Sequence, residues 1–300
     1  HDALPILSMK RKIKKIMLPL ILCIAISGCN KKQITEETET KTKKTQITTT
    51  EYQKTRKISK SSWIIELDPG HGGIDSGAVG TSHDWPQEKE INLKIAKYVK
   101  KELSQNPNIK VYLTRTGDTK PELSERVPKA VRDKADLFIS LHNNAKGPIV
   151  EYDHGCSVIV PTGNYNKEVS KQAQLLGCYF LKHLQQAGVE NQGLLMRTSE
   201  KNQRYPNGKL RDYYRIIHNS IEQNIPGVIV EHAFVDSKED VEQFLKDASK
   251  IKKLAQADAN AIRDYCLGNL KLEDEMEQKV TLIRDPKGKE NEYFRINLKK

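Results

Sequence analysis

The chain has 300 residues, 30% of them charged and 6% aromatic, with a formal net charge of +11. That length allows one large domain or two small ones. The excess charge does not describe a nucleic-acid-binding face: residues 1–28 hold five basic and one acidic side chains, residues 29–61 hold nine and four, and only +2 is left for residues 62–300.

His1–Ser8 precede Met9 and read as read-through or a cloning remnant. Lys10, Arg11, Lys12, Lys14 and Lys15 then lead into the apolar run Ile16–Ile26. This run of about eleven residues is shorter than the roughly 20 that span a bilayer. A basic start and a short apolar stretch predict a secretory signal over 9–28. Its end, Ile26-Ser27-Gly28-Cys29, resembles the lipobox of bacterial lipoproteins. That resemblance implies acylation of Cys29 and an exported protein, lipid-anchored to the outer face of the bacterial cytoplasmic membrane. Firm anchoring needs more than one chain. Residues 29–61, rich in Lys, Thr and Glu, are expected to form a disordered lipid-anchored tether, reaching roughly 30 Å on average. Of the five cysteines, Cys156, Cys178 and Cys266 remain beyond this segment. An odd number without a C-x-x-C pair excludes a disulfide framework and a thiolate zinc site, and predicts small buried apolar side chains.

The folded part is expected over 62–270. Ile64–Leu67 reads as a buried strand ended by Pro69 and Gly70. Ile91, Ile95, Val99 and Leu103 recur every four residues and predict a helix over Glu88–Leu103. A strand (Ile109–Thr114), a helix through Leu123, Val127, Ala130 and Lys134, and a strand (Asp136–Leu141) follow. This alternation predicts an α/β fold, a single twisted, mainly parallel sheet with helices on both faces. Further on come a strand at Cys156–Val160, a helix over Tyr165–Gln186, a loop over 188–210, a buried strand at Val228–Val230, and one or two helices from Asp236 to about Leu267. A hairpin around Asp285-Pro286-Lys287-Gly288 is expected in the extension over 271–300.

Four polar side chains fall at strand ends or a helix start: His71, Glu88, His142 and Glu231. In an open α/β sheet, ligands gather beyond the carboxyl ends of strands, where the strand order reverses. If the first strand lies between the second and third, His71 and His142 meet there. Two neutral imidazoles and a carboxylate suit Zn²⁺ with one position left open, and a carboxylate off the metal can move protons. On that reading His71, Glu88 and His142 are metal ligands and Glu231 is catalytic. Asp68, Asn143 and Asn144 are placed to hydrogen-bond them. On spacing alone, Glu90 is the alternative to Glu88.

Five stretches in order, Asp68-Pro69-Gly70-His71-Gly72-Gly73, Glu88-Lys89-Glu90-Ile91-Asn92-Leu93, Leu113-Thr114-Arg115-Thr116, Ser140-Leu141-His142-Asn143-Asn144 and Val230-Glu231-His232-Ala233-Phe234, resemble the zinc-dependent N-acetylmuramoyl-L-alanine amidases of the amidase_3 type. The resemblance covers about 63–267. It implies hydrolysis of the amide between the lactyl group of N-acetylmuramic acid and L-alanine, with peptidoglycan as partner and substrate and Zn²⁺ as cofactor. It assigns the metal to His71, Glu88 and His142, and catalysis to Glu231. His232 departs from the small or apolar residue found after the glutamate in many members. Residues 161–227 match no motif, and on residues alone two other readings stand: a zinc peptidase of wall stem peptides, and an idle wall-binding lipoprotein. His83, His154, His183 and His218 are expected in surface or loop positions, Tyr213 and Tyr214 in the core. Arg115 is open between structural and substrate-facing roles.

Overall fold

The computed structural model describes residues 60–82, 84–146, 152–268, 279–283 and 293–297, the last two as backbone. The signal, Cys29, nearly all of the tether, His83 and the Asp285–Gly288 turn lie outside the described residues. Among those described, no helix is long and apolar enough to cross a membrane.

The elements in chain order are β1 (Trp63–Pro69), α1 (Glu88–Leu103), β2 (Ile109–Leu113), α2 (Leu123–Arg132), β3 (Leu137–Asn144), β4 (Cys156–Ile159), α3 (Lys167–Gln186), β5 (Asn191–Arg197), α4 (Arg215–Glu222) and β6 (Gly227–Phe234). A short turn (Lys238–Asp240), a π-helical turn (Val241–Leu245), α5 (Ala248–Leu267), β7 (Lys279–Ile283) and β8 (Tyr293–Asn297) complete them. The sheet order is β2-β1-β3-β6-β4-β5-β8-β7. Strands β2, β1, β3 and β6 run parallel, β4 is antiparallel to β6, and β5 is parallel to β4. The chain leaves β1 for β2 on one side and returns to β3 on the other, so the strand order reverses between β1 and β3.

Alternation along each strand divides the core. Leu67, Leu141 and Val230 pack on the side of α1, α3 and α5, with Ile95, Phe180 and Ile262. Phe138 and Ile229 pack on the side of α2 and α4, with Val127 and Ile216. The predicted α/β class, with helices on both faces of one mainly parallel sheet, is the observed architecture. Cys156 and Cys178 are buried free thiols, and Cys266 is half-buried.

The structure departs from the sequence reading in four places. The expected loop over 188–210 contains β5, whose Gly193 lies at φ +93° and reads as a breaker; β4 on one side and β8 on the other make it a strand. Helix α4 was not expected, because Ile216, Ile217 and Ile221 in eight residues carry a strand-like composition. Strands β3 and β6 continue past their apolar runs, so His142 and Glu231 lie within strands rather than after them. His183 and His218 are buried helix residues, bonded to Asp264 and to the Asp212 carbonyl, rather than surface or loop residues. The hairpin is present as β7 and β8, and β8 joins the sheet through β5.

Candidate metal centre

His71 sits just past β1 with φ +62°, a conformation few non-glycine residues adopt. Two buried arginines hold it there. Arg115 donates from Nε to the Pro69 carbonyl at 2.9 Å and from Nη2 to the Gly70 carbonyl at 2.9 Å. Arg126 donates from Nη2 to the His71 carbonyl at 3.1 Å and from Nη1 to Asp68 Oδ1 at 2.7 Å. Arg115 is therefore structural, the first of the two roles left open for it. The strained turn is fixed by four carbonyl and carboxylate contacts rather than by its own propensity.

Glu88 opens α1 with its side chain buried, whereas Glu90 is exposed. Glu88 Oε2 lies 3.1 Å from His71 Nε2, and Oε1 lies 2.9 Å from His142 Nδ1. The two imidazoles stand edge to face, with ring centroids 4.9 Å apart. All three residues are buried, and their ligand atoms lie within 4.8 Å of one another. Tetrahedral zinc with bonds near 2.0–2.1 Å would place its ligand atoms roughly 3.3 Å apart, and the two Glu88 oxygens, each facing a different imidazole, lie close to that spacing from it. Glycines make the approach feasible. A Cβ on Gly70 would fall 2.1 Å from His142 Cε1, and one on Gly77 would fall 2.4 Å from Glu88 Oε2.

The electrostatics favour a cation at this place. Burial alone would raise the Glu88 carboxyl, but hydrogen bonds from His142 and His71 hold it well below its usual range. Burial opposes charge on His71, yet Glu88 and then Asp75 outweigh it and raise its pKa. Asp75 Oδ2 lies 3.0 Å from His71 Nδ1, orienting the ring from its other nitrogen. The donor set thus fits a divalent metal ion.

The surrounding hydrogen bonds are partly those expected. Asn143 donates its backbone N–H to Glu88 Oε1 at 3.1 Å and its side-chain N–H to Asn92 Oδ1 at 2.9 Å. Asn92 in turn donates to Glu88 Oε1 at 3.2 Å. Asp68 supports the site at one remove: its carboxylate accepts from Thr114 Oγ1 at 2.6 Å, from Ser140 Oγ at 2.7 Å and from Arg126. Asn144 turns aside, its side-chain oxygen accepting the Ala145 N–H at 2.8 Å.

Glu231 is buried on β6 and pairs in register with His142 on β3. Adjacent strands lie about 4.8 Å apart, and paired residues project from the same face. That face is the one covered by α2 and α4, where a cavity of about 150 Å³ is lined by His71, His142, Asp68, Leu123 and Ile229, among others.

The model of the N-acetylmuramoyl-L-alanine amidase family (Amidase_3) matches residues 64–264. The chain belongs to this family. It is 31% identical over 225 residues to N-acetylmuramoyl-L-alanine amidase AmiC of Escherichia coli O6:H1, covering 67% of this chain and 52% of that one. It is 31% identical over 241 residues to AmiA of Salmonella typhimurium, covering 71% and 78%. The catalytic domain of CwlV, an amidase from Bacillus (Paenibacillus) polymyxa var. colistinus, superposes with a TM-score of 0.53 at 29% identity, covering 68% of this chain and 98% of that one. The chain thus spans about half the length of AmiC.

Within the family's domain the structure adds residues that the sequence reading did not single out. Asn92 lies four residues after Glu88, one helical turn on, and that spacing was a usable signal. Arg126 lies next to Val127 on an amphipathic helix, where an inward-facing arginine leaves no mark in the pattern. Asp75 lies four residues beyond His71 in a glycine-rich loop, which has no periodicity to read. Tyr213 and Tyr214 are half-buried: Tyr214 packs against the core on the side of α2 and α4, as expected, whereas Tyr213 is not part of that core and has the Arg197 guanidinium 3.5 Å over its ring.

Proposed function

We propose that this protein hydrolyses the amide between the lactyl group of N-acetylmuramic acid and L-alanine in peptidoglycan. The observation that carries the reading is the buried His71–Glu88–His142 group inside a family match covering residues 64–264. His71, Glu88 and His142 would hold Zn²⁺ as its three protein ligands. When bound there, zinc acidifies a water and polarises a carbonyl oxygen. Glu231, one strand from His142, takes the proton of the attacking water on its carboxylate. It then delivers that proton to the alanine nitrogen as the carbon–nitrogen bond breaks, so that the amine leaves neutral. Asn92 and the Asn143 N–H keep Glu88 Oε1 directed at its site. Arg115 and Arg126 hold the His71 turn.

The same proposal covers the rest of the chain. Residues 9–28 direct export, Cys29 carries lipid, 29–61 tether the catalytic domain of 62–270 to the outer face of the membrane, and 271–300 form an extension of that domain. The basic leader and the Ile26–Cys29 motif support this part. Mass spectrometry of purified peptidoglycan after digestion tests the activity. Stem peptides with free L-alanine N-termini, lost on chelation and restored by zinc, are expected. Cleavage within the stem, or release unaffected by chelation, would overturn the reading.

A further inference from the structure

His232 and Asp258 form a buried pair that the proposed chemistry does not use. His232 follows Glu231 on β6 and therefore projects from the opposite face of the sheet, into the core beneath α5. Both residues have 0% exposure. The His232 ring donates from Nδ1 to the main-chain carbonyl of His142 at 2.8 Å. Its Nε2 lies 2.8 Å from Asp258 Oδ2. Asp258 stands on the apolar side of α5, one turn from both Leu254 and Ile262. Its Oδ1 has no hydrogen-bond partner among the described residues. A carboxylate in that position is costly unless it performs a task.

The strand pairing indicates the task. His142 pairs with Glu231, but Asn144 pairs with Phe234, so His232 and Ala233 oppose the single residue Asn143. Such a bulge leaves the local ladder incomplete and bends the bulged strand. It begins one residue beyond the pair formed by the proposed metal ligand His142 and the proposed proton carrier Glu231. The His232 ring binds the His142 carbonyl at that break.

We infer that His232, fixed by Asp258 on α5, is a positioning residue that locks β3 to β6 and so sets His142 against Glu231. The inference rests on the metal reading proposed above. Histidine serves here because it reaches two partners on one line, a carbonyl on one strand and a carboxylate on a helix.

The test uses the full chain and a readout independent of turnover, the zinc dissociation constant measured by chelator competition. A double variant, His232→Leu with Asp258→Leu, replaces the buried pair by apolar side chains, a change that often leaves a protein equally or more stable. It is expected to melt no lower than the wild type, yet to bind zinc roughly 10–100-fold more weakly and to lose kcat more than it changes KM. Asp258→Asn keeps a hydrogen-bonding partner for His232 and is expected to bind zinc as the wild type does. A folded double variant with zinc affinity and kcat within about twofold of wild type would overturn the inference. If the double variant does not fold, Asp258→Ala carries the test against Asp258→Asn: the inference expects weaker zinc in the first only, and equal affinity in both would overturn it. A wild-type chain that binds no zinc would instead remove the metal reading, and this inference with it.

Discussion

Replacing Arg126 by leucine should be among the most damaging changes to the site that leave the His71, Glu88 and His142 side chains in place. Arg126 is 3% exposed and Asp68 1%. Their ion pair at 2.7 Å is surrounded by Thr114, Ser140 and the Pro69 and His71 carbonyls. Burial would raise the Asp68 carboxyl, but Arg126 first, then the Thr114 and Ser140 hydrogen bonds, hold it below its usual range. Arg126→Leu strands a buried carboxylate, which costs about 3–5 kcal/mol. At 2–4 °C per kcal/mol for a domain of this size, the melting temperature should fall by roughly 6–20 °C. The His71 turn loses its anchor as well, so zinc binding should weaken. The pH dependence has a definite sign. In the wild type Asp68 has a depressed folded-state pKa, so its stabilisation is present above the unfolded value near 3.9 and is lost as pH falls through the folded one. In the variant, burial acts without Arg126 and the folded carboxyl binds its proton more readily, so the deficit should narrow on acidification. Urea denaturation across pH 4–8, with Asp68→Asn and the double variant completing a cycle, measures both effects. The cycle should reveal coupling between Asp68 and Arg126 well above 1 kcal/mol. A melting-temperature loss under 2 °C, or additive single variants, would refute the clamp.

Three further outcomes are expected. His71→Ala, His142→Ala or Glu88→Ala should each abolish stoichiometric zinc, measured by elemental analysis after dialysis, while the exposed Glu90→Ala should retain it. Gly77→Ala should destabilise by about 1–2 kcal/mol for its φ of +70° alone, and should also weaken zinc because its Cβ would fall 2.6 Å from His71 Cδ2; wild-type affinity in that variant would contradict the packing argument. Cys29→Ala should release the protein from the membrane fraction or leave it unprocessed, and a wild-type N-terminal peptide without acyl groups would contradict the anchor.

Much of the fold was legible because its signals are local. The four-residue spacing of Ile91, Ile95, Val99 and Leu103 is the buried face of α1, and the apolar run before Pro69 is β1. The His71–Glu88–His142 cluster was legible because β1, β3 and the start of α1 meet where the strand order reverses. What escaped was non-local. Strand β5 is specified by its neighbours β4 and β8 rather than by its own pattern. Asp258 looks like any polar residue of an amphipathic helix until the helix is seen to cover His232. Asn144 shows the reverse error: a polar residue beside two site residues spends its side chain on its own loop.

The proposed role of Glu231 joins metal, fold and reaction, and the Glu231→Gln variant tests it most directly. The amide keeps the size of the side chain and much of its hydrogen bonding but cannot take a proton. Zinc content, melting temperature and release of L-alanine N-termini from purified peptidoglycan should be measured on the same preparation. The proposed role predicts full zinc, an unchanged melting temperature and turnover lower by at least the roughly 10²–10⁴-fold that positioned proton transfer contributes. Near-normal release by Glu231→Gln would contradict it, and loss of zinc along with activity would make Glu231 a ligand rather than the proton carrier.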